Sequence, residues 1–126
     1  MSNTIFPCLW FDNNAKQAAE FYCSLFPNAA ITTDTPMVVL WQLEGLKIMG
    51  LNGGPVFKIN PSISLMVTCT ADEIDSLWNK LSDGGSVMMP LDKYPWSDRY
   101  GWLVDQFGMT WQLMQGELPA GMQKII

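Results

Sequence analysis

The stretch GWLVDQFGMTWQL, Gly101 to Leu113, sets a side-chain amide, Gln112, among bulky apolar neighbours, and the search for chemistry starts there. An amide offers one acceptor and two donors but neither charge nor a basic nitrogen. It can orient a ligand without moving a proton. The chain contains no histidine, which removes Ser-His and Cys-His nucleophile pairs and any imidazole acid near neutral pH. The three cysteines, Cys8, Cys23 and Cys69, have no C-x-x-C spacing. They read as reduced packing residues rather than a disulfide framework or a thiolate zinc site. Of the titratable groups, Asp98, Arg99 and Tyr100 sit together before a strand, Asp105 falls in a turn and Asp12 precedes a helix. Their simplest roles are a solvated loop, a turn former and a cap. No nucleophile and base can be paired by spacing, so catalytic residues stay unassigned, and an acid/base enzyme would have to use Asp98, Tyr100 or a group of its substrate.

Elements must position that amide. IFPCLWF from Ile5 is a short apolar run, and Asp12-Asn13-Asn14 suits a helix start. Ala15, Ala18, Ala19, Tyr22 and Phe26 follow at helical offsets, which predicts an amphipathic helix over 14–26, stopped by Pro27 and Asn28. AITTDT, MVVLWQLEG and LKIMGLNGG then read as three strands, with Glu44-Gly45 a hairpin turn. The pattern repeats. PSISLMVTC is a strand, Thr70 and Glu73 have capping-box spacing, and Ile74, Leu77, Trp78 and Leu81 line one helix face ended by Gly84-Gly85. SVMMP, RYGWLVD and MTWQLMQ give three more strands, with LDKYPWSD expected as an exposed loop and Gln106-Phe107-Gly108 as the last turn.

The two helix starts lie about 55 residues apart, a period that marks a duplicated unit. The expected fold is therefore α+β: two tandem βαβββ modules, about 5–54 and 61–115, within one domain of residues 1–126, their sheets curved around a common cavity and their helices outside.

Bulk properties narrow the function. At 126 residues the chain can bury a core without staples. A net charge of −5 with only seven Lys plus Arg leaves no basic patch for nucleic acid. No apolar run approaches a bilayer span, and MSNTIFPCLWF lacks the features of a signal peptide, so the expectation is a cytoplasmic protein without membrane or nucleic-acid partners.

CLWFDNNAKQAAEFYCSLFPNA, GLNGGPVFKINPSISLMV, DEIDSLWNKLSDGG and GWLVDQFGMTWQL together resemble the PhnB-like branch of the vicinal oxygen chelate superfamily, which includes glyoxalase I, fosfomycin and bleomycin resistance proteins and extradiol dioxygenases. The resemblance spans about residues 5 to 115, and D-x-F-G-x-x-W-Q is its most specific piece. It implies paired βαβββ modules, usually in a dimer, with metal ligands on the first and fourth strands of each module. Carried over, with a residue of ambiguity on the fourth strand of the first module, those places fall on Pro7, Gly50, Ser62 and Gln112. Proline and glycine supply no side-chain donor, and hydroxyl and amide are neutral, so the set lacks the charge that holds Zn²⁺, Ni²⁺, Mn²⁺ or Fe²⁺. No metal and no cofactor are expected. Gln112 then either keeps a polar group in a ligand cavity without a metal, or is hydrogen-bonded within the sheet with no ligand role.

Strand alternation names its companions. Thr110 and Met114 share its face, and the corresponding positions elsewhere are Ser62, Ser64 and Met66, Leu9 and Phe11, and Asn52 beside Gly50. Cys8, Trp10, Ile63, Leu65, Val67, Trp111 and Leu113 belong under the helices, while Trp41, Tyr94, Trp96 and Trp102 are rings for the rim or the core. The expected ligand site is Gln112, Ser62, Ser64, Asn52, Trp102 and Met114. The leading expectation is a metal-independent homodimer binding a small, largely apolar or aromatic molecule between its modules. The alternative is an enzyme of the superfamily, a lyase, a dioxygenase or the demethylubiquinone methyltransferase for which this branch is named.

Overall fold

The computed structural model describes residues 3–116, and the chain divides into two compact units, one running to Ile59 and the other from Asn60. The first holds β1 (Cys8–Phe11), α1 (Ala15–Leu25), β2 (Ala29–Asp34), β3 (Val38–Leu43) and β4 (Leu46–Asn52). The second holds β5 (Ser64–Cys69), α2 (Ile74–Ser82), β6 (Ser86–Tyr94), β7 (Ser97–Val104) and β8 (Thr110–Gln115). The duplicated strand, helix, three-strand order expected from the sequence is the order observed.

In the first unit the sheet runs β1-β4-β3-β2, with β1 parallel to β4 and the other pairs antiparallel. Helix α1 buries Ala15, Ala18, Ala19 and Tyr22. The small alanines let it lie close: a methyl on Gly50 would stand 2.8 Å from the Trp41 ring and 3.1 Å from the Ala15 methyl. Glu44 and Gly45 have φ of 49° and 92°, the left-handed pair that matches a two-residue hairpin to the strand twist. The helix start differs from expectation. Asn14 makes no side-chain cap, and the Ala15 N–H instead donates to Asn52 Oδ1 at 3.0 Å, a cap supplied from the end of β4.

The first unit also reverses the expected faces. Leu9 pairs with Gly50 and Phe11 with Asn52, and Leu9, Phe11, Val39, Trp41, Leu43 and Ile48 are all buried. These residues lie on the α1 side, so Leu9 and Phe11 are core, whereas Cys8 and Trp10 take the opposite face. Trp10 donates its indole N–H to the Gly54 carbonyl at 3.0 Å and meets Phe57 edge-on.

In the second unit the sheet order is β5-β8-β7-β6, again with one parallel pair, β5 and β8. Helix α2 buries Ile74, Leu77 and Leu81, and Trp78 occupies the space a side chain on Gly101 would need. Half of the expected capping box is present: the Glu73 carboxylate accepts from the Thr70 N–H at 2.9 Å. Two expectations fail here. β5 begins at Ser64, leaving Ser62 exposed in the preceding turn, where its N–H donates to Asn60 Oδ1 at 2.9 Å. LDKYPWSD is not a loop, since β6 and β7 run through it to a tight turn at Pro95-Trp96. Pro90 is accommodated because β6 is an edge strand broken by register shifts on either side of it, where a missing N–H costs no ladder bond.

Candidate functional site

Strands β8, β7 and β5 build the site in the second unit. Trp111 and Leu113 point to the α2 side, so Thr110, Gln112 and Met114 take the other face of β8, as alternation requires. On β7, Gly101 lies under Trp78, so Tyr100 and Trp102 share the Gln112 face and pair with Met114 and Gln112 respectively. On β5, Ser64 and Met66 pair with Thr110 and Gln112. Met66, Trp96, Tyr100, Gln112 and Met114 line a groove of about 290 Å³, near the lower end of the range for small-molecule sites.

The amide of Gln112 is held at both ends. Its Nε2 donates to Ser64 Oγ at 2.7 Å, and its Oε1 accepts from the Tyr100 hydroxyl at 2.5 Å. The result is a directed chain, Tyr100 to Gln112 to Ser64, joining three strands across the sheet face. Burial, and to a lesser degree the neighbouring Tyr94 phenol, push the Tyr100 hydroxyl above its ordinary pKa of 10.0. Tyr100 is therefore a neutral phenol and not a base at physiological pH. Tyr94 stacks on Trp96 with ring centroids 5.1 Å apart, and both meet Tyr100 edge-on at 5.6 and 5.4 Å, which stiffens the aromatic wall of the groove. No charged side chain is among the groove-lining residues.

The sequence-derived site residues separate into two groups. Gln112, Ser64 and Met114 come together, joined by Met66. Trp102 is opposite Gln112 in the ladder, and its indole N–H is buried with no partner among the described residues, as is the hydroxyl of fully buried Thr110. Asn52 belongs to the first unit, where Oδ1 caps α1 and Nδ2 donates to the Pro36 carbonyl at 3.0 Å, and it is not among the residues named as lining the groove. Ser62 is also outside it. Tyr100 is the residue that sequence reasoning undervalued, seen as a remote acid/base candidate rather than as the partner of Gln112. Alternation from Trp102 places it on that face once Gly101 is known to lie under the helix.

A second depression of about 380 Å³ lies at the β6–β7 turn, lined by Lys93, Tyr94, Pro95, Trp96, Ser97, Asp98 and Gln115. It is larger, but it is formed mainly by the polar hairpin tip and does not reach Gln112. Arg99 is occupied by an ion pair with Asp75 on α2. Asp105, which looked like a turn former, is buried, and its carboxylate accepts from the N–H groups of Phe107 and Met109 at 2.8 and 3.1 Å and from Trp111 Nε1 at 2.8 Å.

The donor set does not fit a transition metal. Among the described residues no three His, Cys, Asp or Glu side chains cluster, Gly50 lies under the Trp41 ring, Ser62 is exposed in its turn, and the Gln112 amide is engaged at both ends.

Known proteins place this geometry in a family. The family model described as 3-demethylubiquinone-9 3-methyltransferase matches residues 3–114. No curated protein sequence matches the chain. A PhnB protein of Bacillus cereus labelled with the same methyltransferase description is 32% identical, with 90% of this chain and 100% of that one covered at a TM-score of 0.84. Protein PA1353 of Pseudomonas aeruginosa is 24% identical, covering 90% and 98% at a TM-score of 0.77, and matches in fold. The fosfomycin resistance protein FosX of Listeria monocytogenes, in a complex with Mn(II) and sulfate, is 15% identical, covers 100% and 99% at a TM-score of 0.71, and likewise matches in fold. With its tandem βαβββ modules and a family match over nearly its whole length, the chain belongs to the 3-demethylubiquinone-9 3-methyltransferase, or PhnB-like, family.

Proposed function

We propose that the chain binds a small, largely apolar or aromatic molecule in the groove of its second module, and that it does so without a metal. The observation that carries this reading is the groove floor itself, where a hydrogen-bonded chain of Ser64, Gln112 and Tyr100 is flanked by Met66, Met114 and Trp96. A few placed polar groups within an apolar, aromatic surface are the usual make-up of a small-molecule site.

The family description names a methyl transfer, for which S-adenosylmethionine would be the donor. The residues present do not fit the usual cradle for that group, a glycine-rich turn between a strand and a helix. The β1–α1 connection is Asp12-Asn13-Asn14 and the β5–α2 connection is Thr70-Ala71-Asp72-Glu73, neither containing glycine. Binding without turnover is therefore preferred to catalysis.

A homodimer belongs to the same proposal, because the edge strand β6 leaves Val87 and Met88 exposed and open edges favour pairing; light scattering at micromolar concentration reads the mass directly. No helix among the described residues is long and apolar enough to cross a membrane, and a cytoplasmic location is proposed with it, checked by fractionation.

The binding test is a titration of naphthalene-sized aromatic probes followed by saturation-transfer NMR, on the native protein and on Met114→Gln. Saturable binding weakened by the substitution supports the groove; no binding, or binding indifferent to Met114, removes it.

A further inference from the structure

The hydrogen-bond chain at the groove floor has a direction, and the direction selects a ligand. A phenol has one proton to give, and Tyr100 gives it to Gln112 Oε1. Towards the groove its oxygen can therefore only accept. Gln112 Nε2 carries two protons, of which one goes to Ser64 Oγ. The other has no partner in this chain of hydrogen bonds, and it sits on the same amide whose oxygen Tyr100 holds. The floor thus presents an acceptor beside a donor, both on side chains that line the groove.

We infer that the ligand is an uncharged hydroxyaryl compound, whose single hydroxyl donates to the Tyr100 oxygen while its own oxygen accepts from the free Gln112 N–H. This rests on the groove being the binding site proposed above. One hydroxyl satisfies both protein groups, whereas an ether satisfies only the amide and a bare hydrocarbon neither. The ring lies among Met66, Met114 and Trp96, which supply dispersion and edge contacts. Charge is excluded on the same grounds: no lining residue offers a counter-ion, and an unpaired charge in an apolar groove carries a desolvation cost with nothing to offset it. The raised pKa of Tyr100 is consistent with this arrangement, since it keeps the phenol protonated and the chain pointed one way.

The test compares three probes of nearly equal shape, 2-naphthol, 2-methoxynaphthalene and naphthalene, by isothermal titration and ligand-observed NMR at pH 7. For the native protein 2-naphthol is expected to bind about tenfold more tightly than naphthalene, the order of one well-made hydrogen bond, with 2-methoxynaphthalene between them. In Tyr100→Phe that preference is expected to shrink to about threefold or less, with circular dichroism confirming the fold. Equal affinity of the native protein for all three probes would overturn the hydroxyaryl assignment and leave groove binding standing. Failure of all three to bind would overturn groove binding itself, and the assignment with it. The native comparison needs no variant, so it decides the matter even if Tyr100→Phe does not fold.

Discussion

The carboxylate of Asp105 accepts the indole N–H of Trp111 at 2.8 Å while bracing the turn between them through the N–H groups of Phe107 and Met109. The D-x-F-G-x-x-W motif is thus a structural clamp. It sets where β8 begins, and so which way Gln112 faces.

Asp105→Ala should cost about 3 kcal/mol, because a buried carboxylate accepting several hydrogen bonds leaves all of its donors unpaired when removed. Asp105→Asn should be milder, about 2 kcal/mol, since an amide can still serve the backbone N–H groups but turns a donor towards the Trp111 indole. Urea denaturation measures both. An unchanged midpoint for Asp105→Ala would show that the turn holds without its clamp.

Gly101→Ala should destabilise by about 1–3 kcal/mol, the range for overpacking a filled core. The new methyl would stand 2.4 Å from the Trp78 ring, and moving that ring moves α2. Gly50→Ala should cost less, its nearest neighbour being the Trp41 ring at 2.8 Å. Thermal melts of the two variants would contradict this if Gly50→Ala proved the more damaging.

Gln112→Glu should fold, with a melting temperature within about 5 °C of the parent, roughly 1 kcal/mol for a chain of this size. The Tyr100 hydroxyl can still donate to a carboxylate, and the Ser64 hydroxyl can turn to donate as well. Hydroxyaryl affinity should nevertheless fall several-fold, because a carboxylate has no N–H to offer a ligand. A variant that aggregates would place Gln112 in dry core, and one with unchanged affinity would remove it from the site.

The thiols should differ in reactivity in the order Cys8, Cys23, Cys69. Cys8 is exposed and Cys69 buried, and burial, assisted by the nearby Glu73 charge, pushes the Cys69 pKa from 9.0 to about 11. Since the thiolate is the reactive form, iodoacetamide at pH 8 should label Cys8 first. The same shift has a stability sign: the folded state favours the neutral thiol, so its contribution is complete below pH 9 and is lost as pH rises from 9 through 11. Urea midpoints at pH 8 and pH 10 should converge less in the parent than in Cys69→Ala; identical pH dependence would show that Cys69 does not titrate differently on folding.

Purified protein should carry no stoichiometric transition metal, and a chelator should leave its melting temperature unchanged, given a donor set of neutral and engaged groups. Elemental analysis finding about one Zn²⁺, Ni²⁺ or Fe²⁺ per chain would reverse this.

What the sequence determined by itself is the element order and, in the second module, the face. Helical spacing from Ala15 and from Ile74 predicts the two helices within a residue or so at most ends, and the polar Gln112 between Trp111 and Leu113 breaks the symmetry between the two sides of β8. In the first module no such mark exists, because Cys8 and Trp10 are as apolar as Leu9 and Phe11, and alternation says only which residues travel together. The choice between the faces was made by tertiary packing: α1 can approach where Gly50 leaves room for the Trp41 ring and the Ala15 methyl, and that puts Leu9, Phe11 and Asn52 on the helix side. The pairing of Tyr100 with Gln112 and of Gln112 with Ser64 was also decided in three dimensions. These contacts join residues 12 and 48 positions apart, and local spacing carries no information on which strand becomes the neighbour of β8.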